Sequence, residues 1–273
     1  MSNPPVQDSQ GAPITFSFGK NWEAFVEQHY SEKRLATARE HLLGFLRMES
    51  LAGKSFLDIG CGSGIHSLAA FGAGASRITG FDLDPASVST TRKLREMKGS
   101  PAHWSVQQGS ILDEKFLAGI EPADVVYSWG VLHHTGQMWK AIENASRFLN
   151  PGSLFYIALY QTTPRTPYWI ELKKKYNAAS AFRKSVMDYQ YVLRHVIIPE
   201  LIRFRNPLKQ IVGYEENRGM DFMTDIRDWL GGYPYEDCSI PEMLRFGVDK
   251  LGLRMTNISI APTLVEYLFE KPR

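Results

Sequence analysis

Phe56-Leu57-Asp58-Ile59-Gly60-Cys61-Gly62-Ser63-Gly64 is the stretch whose reading decides the fold. A short apolar run, Lys54 to Ile59, gives way to three alternating glycines, and Ile65 to Phe71 then continues as an apolar helix. The pattern predicts a strand, a tight turn and a helix. Glycine lets the backbone turn sharply and lets a ligand come close to it. The N-terminus of the following helix offers unpaired N–H groups to an anion. A dinucleotide-binding turn would place its third glycine one residue later, where this chain has Ile65.

Working upstream, Asn21 to Met48 reads as helix, with Trp22, Phe25, Val26, His29 and Tyr30 and then Leu35, Leu42, Leu43 and Leu46 at helical spacing. Downstream, Arg77 to Phe81 reads as a second strand. Asp84-Pro85 opens a helix, with Asp84 as N-cap and Pro85 in the first helical position. His103 to Gln107 and Asp124 to Trp129 follow as strands three and four. Met138 to Leu149 reads as an amphipathic helix stopped by Asn150-Pro151-Gly152, and Ser153 to Tyr160 as a fifth strand. Strand–helix alternation of this kind implies a doubly wound parallel sheet, and unbroken apolar strands imply helices on both faces.

Residues 161–238 break that rhythm. Their helical segments are interrupted by Pro164, Pro167, Pro199, Pro207 and Gly213, and residues 165–218 carry eleven Lys/Arg against five Asp/Glu, a net of +6. This stretch reads as an inserted helical cap that recognises substrate. Lys173-Lys174-Lys175 reads as a solvent-exposed face, whereas Arg218, Asp225, Asp228 and Tyr233 read as a loop converging on Gly231-Gly232. Ser239-Ile240-Pro241-Glu242 looks like a capping box, and Arg254 to Ile260 and Thr263 to Glu270 form a closing hairpin across Ala261-Pro262. The expected organisation is a disordered tail and helical lid over 1–50, a nucleotide-binding core over 51–160, the cap over 161–238, and a helix and hairpin completing the core over 239–273.

Composition narrows the function. The chain has 273 residues, 44% of them hydrophobic, with a net charge of +2, so it can bury a large core and lacks a nucleic-acid footprint. Its two cysteines, Cys61 and Cys238, lie far apart, and no apolar run approaches the ~20 residues of a membrane span. A cytoplasmic protein without an integral membrane segment is expected. No His/Cys/Asp cluster has metal-ligand spacing, so no metal is expected.

Several further residues carry chemistry. Asp82 lies 22 residues beyond Gly60 at the end of the second strand, where a carboxylate accepts hydrogen bonds from ribose hydroxyls. Gln108-Gly109-Ser110-Ile111 follows the third strand, and Ser128-Trp129-Gly130-Val131-Leu132-His133-His134 follows the fourth. The glycine turn, Asp58, Asp82 and the terminal hairpin together resemble class I (Rossmann-like) methyltransferases over roughly residues 51–160 and 239–270. The Leu132-His133-His134-Thr135 run resembles the small-molecule type that includes the ubiquinone and menaquinone biosynthesis enzymes.

The resemblance implies a seven-stranded, mostly parallel sheet in the order 3-2-1-4-5-7-6, with S-adenosyl-L-methionine as cofactor. It implies that Gly60, Cys61, Gly62 and Gly64 surround the methionine carboxylate and that Asp58 receives the ammonium, directly or through water. Asp82 and Leu83 then hold the ribose side, Ser110 and Ile111 the adenine, and Ser128 and Trp129 flank the reactive sulfonium. His133 or His134 is expected as general base, its ordinary pKa suiting that role near neutrality. Trp22, Tyr30, Arg218, Asp225, Asp228 and Tyr233 are the expected acceptor contacts. A small hydroxylated acceptor is expected. N-methylation of a small molecule or peptide, an NAD-type oxidoreductase and a non-catalytic cofactor-binding module stand as alternatives.

Overall fold

A computed structural model describes residues 32–207 and 222–273. In chain order the core elements are α1 (Glu32–Leu46), β1 (Ser55–Ile59), α2 (Ile65–Gly72), β2 (Arg77–Asp82), α3 (Pro85–Met97), β3 (Trp104–Gln108), α4 (Glu114–Leu117), β4 (Ala123–Trp129), α5 (Met138–Ser146) and β5 (Leu149–Tyr160). The inserted segment forms α6 (Thr166–Asn177), α7 (Ala181–Val192), a π-helical turn (Leu193–Ile197), α8 (Ile198–Ile202) and α9 (Phe222–Gly231). The chain finishes with α10 (Ile240–Leu244), β6 (Arg254–Ile260) and β7 (Leu264–Glu270).

The seven strands form one sheet in the order β3-β2-β1-β4-β5-β7-β6, as expected. β1 to β5 are parallel, and β7 runs antiparallel to both β5 and β6. Strand order reverses between β1 and β4, and open α/β sheets bind ligands outside the carboxyl ends of their strands at such a point.

Alternation along the strands feeds two cores. Leu57, Ile59, Val126, Phe155 and Ile157 point to the face covered by α5 and α10. Phe56, Ile78, Val125, Tyr127 and Tyr156 point to the face covered by α1 and α2. Both faces of the sheet are therefore dry, which is why the strands read as continuous apolar runs. A third cluster, Tyr176, Val192, Phe222, Ile226 and Leu230, holds the inserted helices together.

Local signals set the helix starts. The Asp84 side chain accepts from the Ala86 N–H at 2.9 Å with Pro85 at the first position, and Ser239 and Glu242 form a full capping box. One expected boundary moves. α5 ends at Ser146 rather than running to Leu149, and β5 begins before Asn150-Pro151-Gly152 rather than after it. Phe148 and Leu149 are buried, the Ala123 N–H donates to the Phe148 carbonyl at 2.9 Å, and Leu149 pairs with Ala123. The sheet takes these two apolar residues from the helix, and Pro151 falls in an irregular strand entry. No helix among the described residues is long and apolar enough to cross a membrane.

One buried carboxylate ties the hairpin to the rest. Glu266 on β7 accepts from the Tyr156 hydroxyl at 2.7 Å and the Trp129 indole N–H at 2.8 Å, and its Oε1 lies 3.5 Å from His41 Nε2. Burial alone would raise its pKa, but the bonds from His41, Tyr156 and Trp129 outweigh it and hold the carboxyl near 2. Replacing Glu266 with Ala leaves the buried Tyr156 hydroxyl unpaired and frees the partly exposed Trp129 N–H, and is expected to lower unfolding stability by about 1–3 kcal/mol at neutral pH. Because the folded-state pKa is depressed, the contribution is present above the ordinary carboxylate range and is lost as pH falls toward 2. Urea unfolding of both proteins is expected to show the gap closing over that interval.

Candidate functional site

The glycine turn is shaped by its neighbours. Gly60 has φ +74°, and a Cβ on it would lie 2.4 Å from Val131 Cγ1. Gly64 has φ +79°, and its Cβ would meet Thr91 Oγ1 at 2.8 Å. Both positions are closed to any side chain by conformation and by space. The Gly60 and Cys61 N–H groups donate to the Phe81 carbonyl at 2.8 and 3.0 Å, so the turn is bolted to β2. α2 then starts at Ile65 with no side-chain cap. An uncapped helix start behind a glycine turn is suited to receive a carboxylate.

Two acids frame this turn. Asp82 accepts from the Gly62 N–H and the Asp84 N–H, both at 2.9 Å, and burial raises its pKa. Asp58 is 2% exposed and accepts from the Ser67 hydroxyl at 2.6 Å. Burial, with the Asp82 charge nearby, brings Asp58 up to about 7 against the opposing Ser67 bond. A cationic group placed beside Asp58 would restore its charge. The donor set therefore fits a zwitterionic amino-acid moiety: a helix N-terminus for the carboxylate and a buried acid for the ammonium.

The other expected cofactor residues divide. Leu83 is 60% exposed beside Asp82 and offers an apolar face to a ring. Cys61 is buried, its Sγ receives the Thr91 hydroxyl at 3.4 Å, and burial keeps it a thiol, so its backbone is what it presents. The Ser110 hydroxyl accepts from the Leu112 N–H at 3.1 Å, and the Ile111 side chain lies in the core. Ser128 is fully buried and donates to the Ile59 carbonyl at 2.9 Å, locking β4 to β1. Trp129 is partly open to solvent and bonded to Glu266.

Beyond the carboxyl ends of β4 and β5 lies a second group of side chains. The segment Tyr233 to Cys238 passes over the short 3₁₀ turn Leu132–His134. The Glu236 N–H donates to the His133 carbonyl at 2.9 Å, the Glu236 carboxylate accepts from the Met138 N–H at 2.9 Å, and Cys238 N–H donates to the Tyr160 carbonyl at 3.1 Å. Tyr160 then meets His133 at 3.9 Å, Tyr235 at 4.9 Å and Trp229 at 5.9 Å between ring centroids. Trp169 of α6 reaches Trp229 at 5.4 Å.

His133 is fully buried in this group and His134 half-buried. The Tyr160 N–H lies 3.4 Å from His133 Nδ1, which accepts it, so the ring's proton sits on Nε2, and that atom has no hydrogen-bond partner among the described residues. His134 Nδ1 donates to the Pro234 carbonyl at 2.6 Å. Burial, with the nearby His134 and Lys173, drives the His133 pKa well down, and burial brings His134 to about 4, so both rings are neutral near pH 7.

Three expectations change. Lys173 is not on an exposed face but 1% exposed, because α6 turns it inward against Trp229 and Tyr235. Asp225 and Asp228 lie on helix α9 rather than in a loop. Tyr233 is buried at the start of the crossing segment. Trp22, Tyr30 and Arg218 lie outside the described residues. Lys173, Tyr160, Trp229 and Tyr235 were not singled out from the sequence. A lysine within a basic run and aromatics spread over 75 positions give no local pattern to find them by. Among the described residues no group of three or more His, Cys, Asp or Glu side chains is arranged to hold a metal.

Residues 50–218 match the family described as a methyltransferase domain. A ubiquinone biosynthesis O-methyltransferase from Methylobacterium sp. is 33% identical over 135 residues, 49% of this chain and 51% of that protein. A tRNA U34 carboxymethyltransferase from Methylococcus capsulatus is 34% identical over 102 residues, 37% of this chain and 31% of that protein. The chain thus spans about half or less of the length of these curated relatives. The solved magnesium protoporphyrin IX methyltransferase from Synechocystis, with bound SAH, superposes with a TM-score of 0.56 at 12% identity, covering 92% of this chain and 93% of the other, and so shares the fold. With the β3-β2-β1-β4-β5-β7-β6 sheet and the glycine turn at its switch point, the family match over more than half its length means that the chain belongs to the Rossmann-like, S-adenosylmethionine-dependent methyltransferases.

Proposed function

We propose that this chain transfers a methyl group from S-adenosylmethionine to a hydroxyl oxygen of a small-molecule acceptor. The observation that carries the reading is the aromatic and basic group at the carboxyl ends of β4 and β5: His133, Tyr160, Trp229, Tyr235 and Lys173, adjoining the glycine turn through Val131. The bound cofactor supplies a methyl group on a sulfonium, open to in-line attack. The protein's share is alignment and exclusion of water, which the buried aromatic walls provide.

In this reading the inserted segment, residues 161–238, is the acceptor-recognition element. α6 and α9 supply the walls. A cleft of about 370 Å³ on the outer side, lined by Arg165, Tyr168, Trp169, Arg194 and His195, shares Trp169 with the aromatic group and suits an acidic substituent on the acceptor. His133, neutral and protonated on Nε2, donates a hydrogen bond to the acceptor oxygen instead of serving as the base that the sequence led us to expect. His134 holds the crossing segment through Pro234.

The relatives named for tRNA and for a ribosomal protein make a macromolecular acceptor the alternative to test. Buried walls speak against it, since a nucleic-acid strand needs an open groove. Methyl transfer by the purified chain to a metabolite panel, with tRNA and ribosomal protein alongside, is expected to favour the metabolites. A strong preference for either macromolecule overturns the small-molecule reading.

Two variants test the roles. Calorimetry with S-adenosylhomocysteine is expected to show binding that Asp82→Ala weakens by about tenfold or more, the worth of one or two lost hydrogen bonds. His133→Ala is expected to lower turnover of a confirmed acceptor by ~10-fold or more while leaving cofactor affinity nearly unchanged. No cofactor binding by the wild type, or full turnover by His133→Ala, contradicts the corresponding assignment.

A further inference from the structure

The cleft on the outer side of the inserted helices holds about 370 Å³, the size of a small-molecule site. Arg165 enters it from the residue before α6, and Arg194 and His195 enter it from the π-helical turn. Residues 161–207 contain three acids, and each is already paired: Glu171 with Lys174 at 3.1 Å, Asp188 with Arg227 at 3.1 Å and Glu200 with Arg203 at 3.4 Å. Neither the Arg165 nor the Arg194 guanidinium has an ion pair or hydrogen bond among the described residues, and no acid lines the cleft.

The sequence builds this arrangement. Pro199 has no N–H, and its ring crowds the carbonyl four residues back, that of His195. The α-helical bond between them cannot form, and over Leu193–Ile197 the helix opens into a π turn, with the Ile198 N–H donating to the Leu193 carbonyl. Turns of this kind recur at functional sites. Here the turn carries His195 to 5.4 Å from Trp169 and 4.7 Å from Tyr191 between ring centroids. Burial, with Arg165 and Arg194 beside it, lowers the His195 pKa. Two fixed positive charges thus converge on one imidazole with no carboxylate of the cleft opposing them. Tyr168, 47% exposed, and the half-buried Trp169 line the same cleft with ring faces.

We infer that this cleft binds a phosphate monoester carried on a flat ring, with the phosphate between the Arg165 and Arg194 guanidiniums and the ring against Trp169. The inference rests on the reading of residues 161–238 as the acceptor-recognition element and names the chemistry that element takes. Two unpaired guanidiniums are matched by two negative charges. A carboxylate or a phosphodiester brings one and leaves an arginine unmatched. A phosphate monoester brings nearly two, with three oxygens for the planar donor forks. Tyr168 and Trp169 give the ring apolar faces to stack on, and Trp169 continues into the aromatic group through Trp229, 5.4 Å away. His195 adds a donor once the dianion offsets the charge of the arginines. The dianion belongs either to the acceptor itself or to a second ligand bound beside it, and the two are separable by experiment.

The test is calorimetry on the full chain with phenyl phosphate at about pH 8, where a monoester is doubly charged. Two controls accompany it: methyl phenyl phosphate, which keeps the ring but has one charge, and inorganic phosphate, which keeps the charge but has no ring. Wild type is expected to bind phenyl phosphate about tenfold or more tightly than either control. R165Q and R194Q are each expected to weaken that binding by ~10-fold, and the double variant to abolish it. By NMR, the His195 imidazole, faced by Arg165, Arg194, Tyr191 and Trp169, is expected to show a pKa that rises when phenyl phosphate binds. S-adenosylhomocysteine affinity, measured on every protein, reports an intact fold and cofactor site. With an active acceptor from the metabolite panel, a raised KM at unchanged kcat in the double variant assigns the dianion to the acceptor. An unchanged KM, with phenyl phosphate binding lost, assigns it to a second ligand, and either result supports the site. The inference is overturned by a wild type that binds no phenyl phosphate, by equal binding of either control, or by binding unaltered in the double variant. Any of these with S-adenosylhomocysteine binding intact leaves the methyltransferase reading standing. Failure of the wild type to bind S-adenosylhomocysteine removes that reading and leaves the phosphate result to be judged by its own controls.

Discussion

Val131 occupies the space where a side chain on Gly60 would be, and most of the site follows from that contact. Gly60 directly follows β1, and Val131 lies two residues past the end of β4, its neighbour at the switch point. The two strand ends can approach this closely only because one of them carries no Cβ. The same turn is hydrogen-bonded to Phe81 of β2 and, through Gly62, to Asp82. Three central strands are thus fixed to one another at their carboxyl ends. The 3₁₀ turn carrying His133 follows directly on Val131, so the same contact that shapes the glycine turn also positions the segment proposed to meet the acceptor.

The far side of the sheet is fixed by a different device. Glu266 gathers donors from β5, from the end of β4 and from α1, all onto one carboxylate. A buried acid is costly unless its lone pairs are used. Here two neutral donors and a histidine use them, which is how an antiparallel hairpin is held in register against a parallel sheet. Trp129 belongs to this network and ends β4 partly open to solvent, so the hairpin is bonded directly to the carboxyl end of a central strand.

The sheet and the cofactor half were legible in the sequence because their signals are local. Glycines at fixed spacing, an acid at the end of the next strand and Asp84-Pro85 at a helix start each act within a few residues of themselves. The one misplaced boundary, at Phe148 and Leu149, arose where tertiary pairing with Ala123 outcompeted helical spacing. Of the aromatic and basic group at the ends of β4 and β5, the sequence singled out only His133 and His134. Tyr160, Lys173, Trp229 and Tyr235 come from a strand end, two helices and a crossing segment, and their meeting depends on how α6 and α9 pack. Charge patterning misread Lys173, since three adjacent lysines look alike until a helix assigns each a different direction. At 100° per residue Lys173 turns inward while Lys175 faces solvent.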